Sequence, residues 1–360
     1  MATSASAAAS GETSAPAPGP AGQVTEVVPL TAGDGRPLSL VHVTSSREPT
    51  RGPVLLVHGS GVRAEIFRPP LPRTLVDALL EDGWDVWLLN WRASIDFDPV
   101  PWTLDDAAVY DHPLAVDHVL RATGADTLKA VVHCQGSTSF TMAAVAGLLP
   151  QVDTVVSNAV SLHPVIPRMS RWKIRHLTAL IAHVSPYLSP AWGSKSNGFF
   201  SQSVRALVRA SHHECDNTVC KMVSFTYGSG RPALWSHENL DDATHSWLAG
   251  EFAEVPMTFF AQMNLSVQAG HLVPLGKVPG LPGSLVDQAP QTDARFIFLA
   301  GQDNLCFLPE SQERSYEFFS RHRPSRDALH VLPGYGHLDV IFGRNAWRDT
   351  YPLILEELKK

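Results

Sequence analysis

Leu128-Lys129-Ala130-Val131-Val132-His133-Cys134-Gln135-Gly136-Ser137 decides the reading of this chain. The branched, apolar run predicts a strand, and Ser137 to Ala146 predicts a helix. Between them stands a single polar turn. Such a strand, sharp turn and helix can lift one reactive side chain above the sheet edge, where the free N–H groups of the helix favour negative charge. Cys134 is the residue lifted. The usual pattern for this turn is G-x-S-x-G, and the chain departs from it twice, with Val132 at the first small position and Cys134 in place of serine. A thiol at a helix N-terminus or beside an imidazolium can lose its proton near neutrality and attack carbonyls. A lone cysteine also reads as a small buried residue, so the surrounding chain has to separate the two. Ser137 and Ser139 lie inside the predicted helix and are poor rivals.

Working outward, Val24 to Val43 predicts two strands around Ala32-Gly33-Asp34-Gly35. Val54 to Val57 predicts a buried strand ending at His58-Gly59-Ser60-Gly61. A helix follows over 71–82, then a strand over 84–91, a helix over 104–122, the Cys134 strand, and a strand over 152–160. This alternation implies a mostly parallel sheet covered by helices on both faces. Ligands in such sheets lie beyond the carboxyl ends of the strands. His58, Trp91 and Cys134 fall at those ends. The rhythm breaks over 161–291, which is rich in proline and aromatic residues and predicts an inserted, mainly helical cap. It resumes with strands over 294–301 and 328–332, and Trp347 to Leu358 closes the chain. The expected division is therefore a disordered tail over 1–22, a core over 23–160 and 292–360, and a cap over 161–291.

Two late loops complete a site. Gly301-Gln302-Asp303-Asn304 offers Asp303, and Gly334-Tyr335-Gly336-His337-Leu338-Asp339 offers His337. Cys134, Asp303 and His337 form a nucleophile, acid and histidine in chain order. The histidine would take the thiol proton as an ion pair and return it to the leaving group, and the acid would fix the ring tautomer. Asp339 is too near His337 in sequence to orient it easily. The N–H groups of Gln135 and Ser60 are the expected oxyanion donors. His58, Gly59, Gly61, Trp91 and His163 are candidate substrate contacts; His58-Gly59 also reads as a tight turn, and His163 as structural.

These loops, HGSG, VHCQG, GQDN and GYGHLD in order, resemble the α/β-hydrolase fold, and GYGHLD resembles the histidine loop of acid lipases. AVVHCQGSTSF, VVSNAVSLHPV and ECDNTVC resemble a hydrolase-like domain fused to cholesterol-oxidase-type (GMC) flavin oxidoreductases. Cys134 with Leu89-Asn90-Trp91-Arg92 resembles polyhydroxyalkanoate synthases, although their first elbow glycine is missing. Dienelactone hydrolases share a Cys-Asp-His set without so large a cap. The resemblance implies acyl-enzyme chemistry on an apolar ester, thioester or lactone. Its alternatives are acyl transfer from acyl-CoA, or a non-catalytic partner of an oxidoreductase.

A net charge of −7 over 360 residues gives no reason to expect nucleic acid as a partner. No apolar run reaches the length of a membrane span, and the N-terminus lacks the basic start and apolar core of a secretory signal. Four cysteines do not make a disulfide framework in so long a chain, so a cytoplasmic location is expected. No cofactor or metal is called for. His212, His213, Cys215 and Cys220 cluster, but they lack a C-x-x-C pair and both histidines precede both cysteines. Residues 164–221 carry eight basic side chains against Glu214 and Asp216. That stretch reads either as a solvated helical face or as an attractor for an anionic substrate tail such as the phosphates of coenzyme A.

Overall fold

The computed structural model describes residues 22–213, 215–229 and 231–360. The expected tail over 1–22 therefore lies, but for Gly22, outside the described residues. Eight strands form one sheet: β1 (Val24–Thr31), β2 (Pro37–Thr44), β3 (Pro53–Val57), β4 (Asp85–Asn90), β5 (Leu128–His133), β6 (Val152–Asn158), β7 (Arg295–Gly301) and β8 (Ala328–Leu332). Their spatial order is β1-β2-β4-β3-β5-β6-β7-β8. The β1/β2 and β2/β4 pairs are antiparallel and the rest are parallel.

Every residue of β3 is buried. Its valines and leucines each contribute roughly 1.5–3 kcal/mol by leaving water, which is why the run carries no polar alternation. Helix α1 (Leu75–Glu81) starts where Thr74 and Asp77 cap one another's backbone N–H groups. The helix expected over 104–122 begins at Leu104–Asp106, passes through a π-helical stretch at Ala107–Asp111 and continues as α2 (His112–Thr123). Gly124, at φ 70°, ends it in the left-handed conformation that glycine adopts without strain. Helix α3 (Cys134–Val145) is buried along its whole length.

Strand order reverses beside β3, which has β4 on one side and β5 on the other. That reversal opens a crevice between the carboxyl ends of β3 and β5, the usual ligand position in open α/β sheets. Register pairs Val57 with Val132 and His133 with Asn158, so the loops after β3, β5 and β6 emerge side by side.

Between β6 and β7 the chain leaves the sheet and forms α4 (Arg168–Ala182), α5 (Phe199–Ser211), α6 (Thr218–Tyr227), α7 (Asp242–Trp247) and α8 (Met257–Ala269). The only strands there among the described residues are the two-residue pair Tyr187–Leu188 and Val255–Pro256. After β7 come α9 (Glu310–His322), β8 and α10 (Tyr351–Leu358). The expected closing helix from Trp347 is split at Thr350. Ala346–Asp349 forms its own turn and α10 restarts with Pro352 in its first turn, a position where the missing proline N–H costs nothing.

Behind the crevice, Arg92 is buried just after β4. It makes a bidentate pair with Asp111 in the π-helical stretch and also reaches Asp34 in the β1–β2 turn. No helix among the described residues is long and apolar enough to cross a membrane.

Candidate active site

Cys134 sits at φ 55°, left-handed backbone that a non-glycine residue adopts at a cost of about 1–2 kcal/mol. Close packing holds it there. A Cβ on Gly136 would lie 2.1 Å from the His58 carbonyl oxygen, and one on Gly59 would lie 2.9 Å from Cys134 Cβ. Two glycines thus let β3's turn and α3's first turn touch, and the elbow forms although Val132 fills the first small position. Val132 is fully buried in the core.

The backbone N–H groups of Gln135 and Ser60 lie by the Cys134 thiol and favour its ionised form. They are the same two N–H groups that the sequence offers as oxyanion donors. Gly61, at φ 68°, lets Ser60's turn pass under Val255 and Tyr227, and the Tyr227 hydroxyl donates to the Ser60 carbonyl at 3.0 Å.

His337 is fully buried, and one of its ring nitrogens lies within 4.8 Å of Cys134 Sγ. Asp303 is not its partner. The Asp303 side chain is exposed, and its N–H is spent on the Tyr335 carbonyl. Asn304 turns inward instead, with Nδ2 3.0 Å from His337 Nδ1. Its Oδ1 accepts from the N–H groups of Cys306 and Phe307 at 2.9 and 3.2 Å. Those two donors fix the amide orientation, so Nδ2 must donate and His337 Nδ1 must accept. The neutral ring therefore carries its proton on Nε2, an atom with no hydrogen-bond partner among the described residues.

Burial pushes the Cys134 thiol up to about 12, against the opposing pull of the two N–H donors, and burial pulls His337 down to about 3. At neutral pH the resting pair is thiol and neutral imidazole, not the expected ion pair. Iodoacetamide labelling of Cys134, followed by peptide mapping, should accelerate about tenfold per pH unit from pH 7 to 10, because thiolate appears only as pH climbs towards 12. A rate that levels off below pH 8 would reveal an ion pair instead.

His133 was not singled out from the sequence. Its ring centroid lies 4.7 Å from that of His337, and Asn158 Nδ2 contacts both His133 Nδ1 (2.7 Å) and the His337 carbonyl (3.2 Å). Asn158 thus ties the end of β6 to the histidine loop. Donor atoms of His133, Cys134 and His337 lie within 4.8 Å of one another, a set able to hold a soft cation.

Cys134 and Gln135 open onto a cavity walled by apolar side chains of α4 and α8, among them Ile174, Leu177, Phe259 and Met263, together with Phe225 and Phe307. Lys173 also reaches it, held by the carbonyls of Phe225 and Gly228, and burial lowers its ammonium to about 8. Cys306 is a second buried thiol on the wall.

The remaining candidates stand elsewhere. His58 is fully buried, with Nδ1 2.6 Å from the Gly59 carbonyl, and its own carbonyl accepts from Trp91 Nε1 at 2.9 Å. Trp91 is fully buried against Trp102 and His112. His163 packs on Phe318 near Ser315. None of these three lines the cavity; they brace the loops around it. Gly59 and Gly61 permit close approach of the backbone to Cys134 and to Val255 and Tyr227. Ser137 and Ser139 are bonded inside the core, to Ser157 and His112. Asp339 accepts from Gly336, Ser236 and Asn239, pinning the inserted segment to the histidine loop.

A family model for the alpha/beta hydrolase fold matches residues 52–178. Lipase 1 of Drosophila melanogaster is 25% identical over 94% of this chain and 78% of that protein. Triacylglycerol lipase 1 of Arabidopsis thaliana is 23% identical over 90% and 84%. The poly(3-hydroxyalkanoate) polymerase subunit PhaC of Haloferax mediterranei is 32% identical, over 32% of this chain and 23% of its own. Among solved structures, a monoacylglycerol lipase of Paleococcus ferrophilus superposes with a TM-score of 0.54 at 14% identity, covering 93% of this chain and 98% of that one. An esterase of Thermogutta terrifontis gives 0.53 at 16% identity with the same coverage. The sheet order, the elbow at the strand reversal and these likenesses together show that this chain has the α/β-hydrolase fold.

Proposed function

We propose that the protein hydrolyses carboxylic esters of apolar acids through an acyl-Cys134 intermediate. The observation that carries this reading is Cys134 held in a strained elbow, facing two backbone N–H donors at the mouth of an apolar cavity. The lipases and esterases it is similar to act on the same bond class by name.

Cys134 Sγ bonds to the acyl carbon, the carbonyl oxygen takes the negative charge between Ser60 N–H and Gln135 N–H, and the C–O bond to the alcohol breaks. For the thiol proton to reach the departing alkoxide through His337, the ring must first shift its own proton from Nε2 to Nδ1 and give up the Asn304 bond. Water then cleaves the thioester, releasing the acid and restoring the thiol. Losing one of the two donors would cost about 3 kcal/mol of barrier. His337 is a handicapped base, because Asn304 keeps the Nδ1 lone pair occupied. A thiol tolerates this better than a hydroxyl does, since it gives up its proton more readily. Cys134, His337 and Asn304 form the working set in this reading, with residues 161–291 as the cap and Lys173 the one cation of the pocket wall among the described residues.

Chromogenic esters of increasing acyl length, with intact-mass detection of the acyl adduct, test the proposal. The adduct should map to Cys134 and grow with the acyl chain, and Cys134→Ala should show neither adduct nor turnover. Unchanged turnover in that variant removes Cys134 from the mechanism.

One observation favours a second reading, acyl transfer. Asn304 leaves the acyl-enzyme without a strong base for water, and the local match to PhaC points the same way. Hydroxyacyl-CoA converted only to free acid would count against it.

A further inference from the structure

Cys215 and Cys220 at the start of α6 meet His237 and His245 from later in the inserted segment, with their donor atoms all within 4.8 Å. Cys215 Sγ is 3.4 Å from His245 Nε2, and Cys220 Sγ is 3.4 Å from His237 Nε2. Zinc bound tetrahedrally at about 2.3 Å from sulfur and about 2.0–2.1 Å from nitrogen sets its S and N ligands about 3.5 Å apart. Two of the four sulfur–nitrogen pairs match that spacing, and the other two lie within 4.8 Å. The two imidazoles stand edge to face, 5.1 Å between centroids, so their Nε2 atoms approach without stacking.

We propose that these four side chains bind one zinc ion as a structural Cys2His2 site. Two thiolates balance the dication, and a mixed sulfur and imidazole set selects zinc over harder cations. An outer layer is already built. The Asn217 N–H donates to Cys215 Sγ at 3.3 Å, as suits a thiolate, and Asn217 Nδ2 reaches the His245 carbonyl. The same Asn217 caps α6 through its Oδ1. In the sequence the two cysteines cluster with His212 and His213, a set whose spacing speaks against a metal site. His212 stacks edge-on against Phe225 and His213 is exposed, so the two cysteines take their histidines from the turn at His237–Asn239 and from α7.

The site answers a weakness of this segment. Helices α4 and α5 bury few side chains and leave Met169, Trp172, Leu180, Phe199 and Leu207 exposed. A metal joining the start of α6 to two later pieces supplies order that so thin a core does not. Helix α6 ends at Tyr227, which holds the Ser60 turn, and the staple therefore also steadies one oxyanion donor.

The test uses reduced, tag-free, full-length protein. Elemental analysis should find about one zinc per chain. Replacement by cobalt(II) should give the intense visible bands of a tetrahedral site, with thiolate charge transfer in the near ultraviolet. Chelation should lower Tm, and added zinc should restore it. Cys220→Ser and His237→Ala should lose the cobalt bands. Cys134→Ala should keep them, which separates this cluster from His133, Cys134 and His337. If the first two variants fail to fold, His245→Cys, which preserves four donors, should fold and show stronger charge transfer. Reduced wild type that neither retains zinc nor develops cobalt bands overturns the proposal, as do bands that survive in folded Cys220→Ser and His237→Ala.

Discussion

Asn304→Asp should raise ester turnover by on the order of 10³-fold, with kcat moving far more than KM. The substitution changes one atom in the right place. Oδ1 keeps its two donors from Cys306 and Phe307, while the second oxygen replaces Nδ2 3.0 Å from His337 Nδ1. That oxygen can only accept, so Nδ1 takes the proton and Nε2 presents its lone pair to the site. The ring becomes a base in the correct tautomer, and the carboxylate stabilises the imidazolium formed when Cys134 loses its proton. The converse change in serine-centred triads, Asp to Asn, lowers kcat about 10⁴-fold while leaving geometry intact. A smaller gain is expected here, because a thiol depends less on its base. The same variant should move the plateau of Cys134 alkylation to lower pH, since a charged partner raises His337 and favours the ion pair. Turnover unchanged or lowered in a well-folded Asn304→Asp protein would rule out His337 as the proton carrier.

The second large effect concerns stability. Arg92→Leu should cost about 3–5 kcal/mol, a large share of a typical folding free energy. Arg92 and Asp111 are both buried, and Asp111 has no other cation against it among the bonds described for it. Burial pushes the Asp111 carboxyl up to about 6 even with the guanidinium in place, so desolvation outweighs the attraction. Removing Arg92 strands a carboxylate in the core. The sign of the pH dependence follows. A carboxyl whose folded pKa exceeds its unfolded value supports folding at low pH and loses that contribution as pH rises through the folded pKa. Arg92→Leu should therefore recover stability on acidification from pH 7 towards pH 5, as Asp111 takes a proton. The double variant Arg92→Leu, Asp111→Leu should regain most of the loss, because a buried pair replaced by apolar side chains is often neutral. Urea unfolding of the three proteins measures all of this; a single variant within about 0.5 kcal/mol of wild type would show that water reaches the pair.

The elbow was readable because its signal is local. A buried strand, a glycine two residues past Cys134 and an apolar helix specify the turn, and the proposed donors Ser60 and Gln135 follow from backbone alone. Asn304 was hidden because Asp303 and Asn304 are adjacent polar residues beyond the same strand end. Which one faces inward depends on the bond from Asp303 N–H to Tyr335, a partner 32 residues away. Lys173 counted as one of eight basic side chains, and nothing in the spacing told it apart from those on the surface. Trp91 and His58 stand at strand ends as expected, yet their rings turn under the loops, where Trp91 braces the His58 carbonyl. Cys215 and Cys220 were conspicuous, but their histidines lie beyond a whole helix.

The phenol of Tyr227 joins chemistry to access. It grips the carbonyl of the residue whose N–H faces the sulfur, and the neighbouring Gly61 carbonyl accepts from Ala253 of the same segment. If that segment swings aside to admit a guest it pulls on Ser60, so on the proposed mechanism an unlatched molecule would lack half of its anion cradle. Entry and bond-making would then belong to separate moments, the thiol staying chemically quiet until the door shuts.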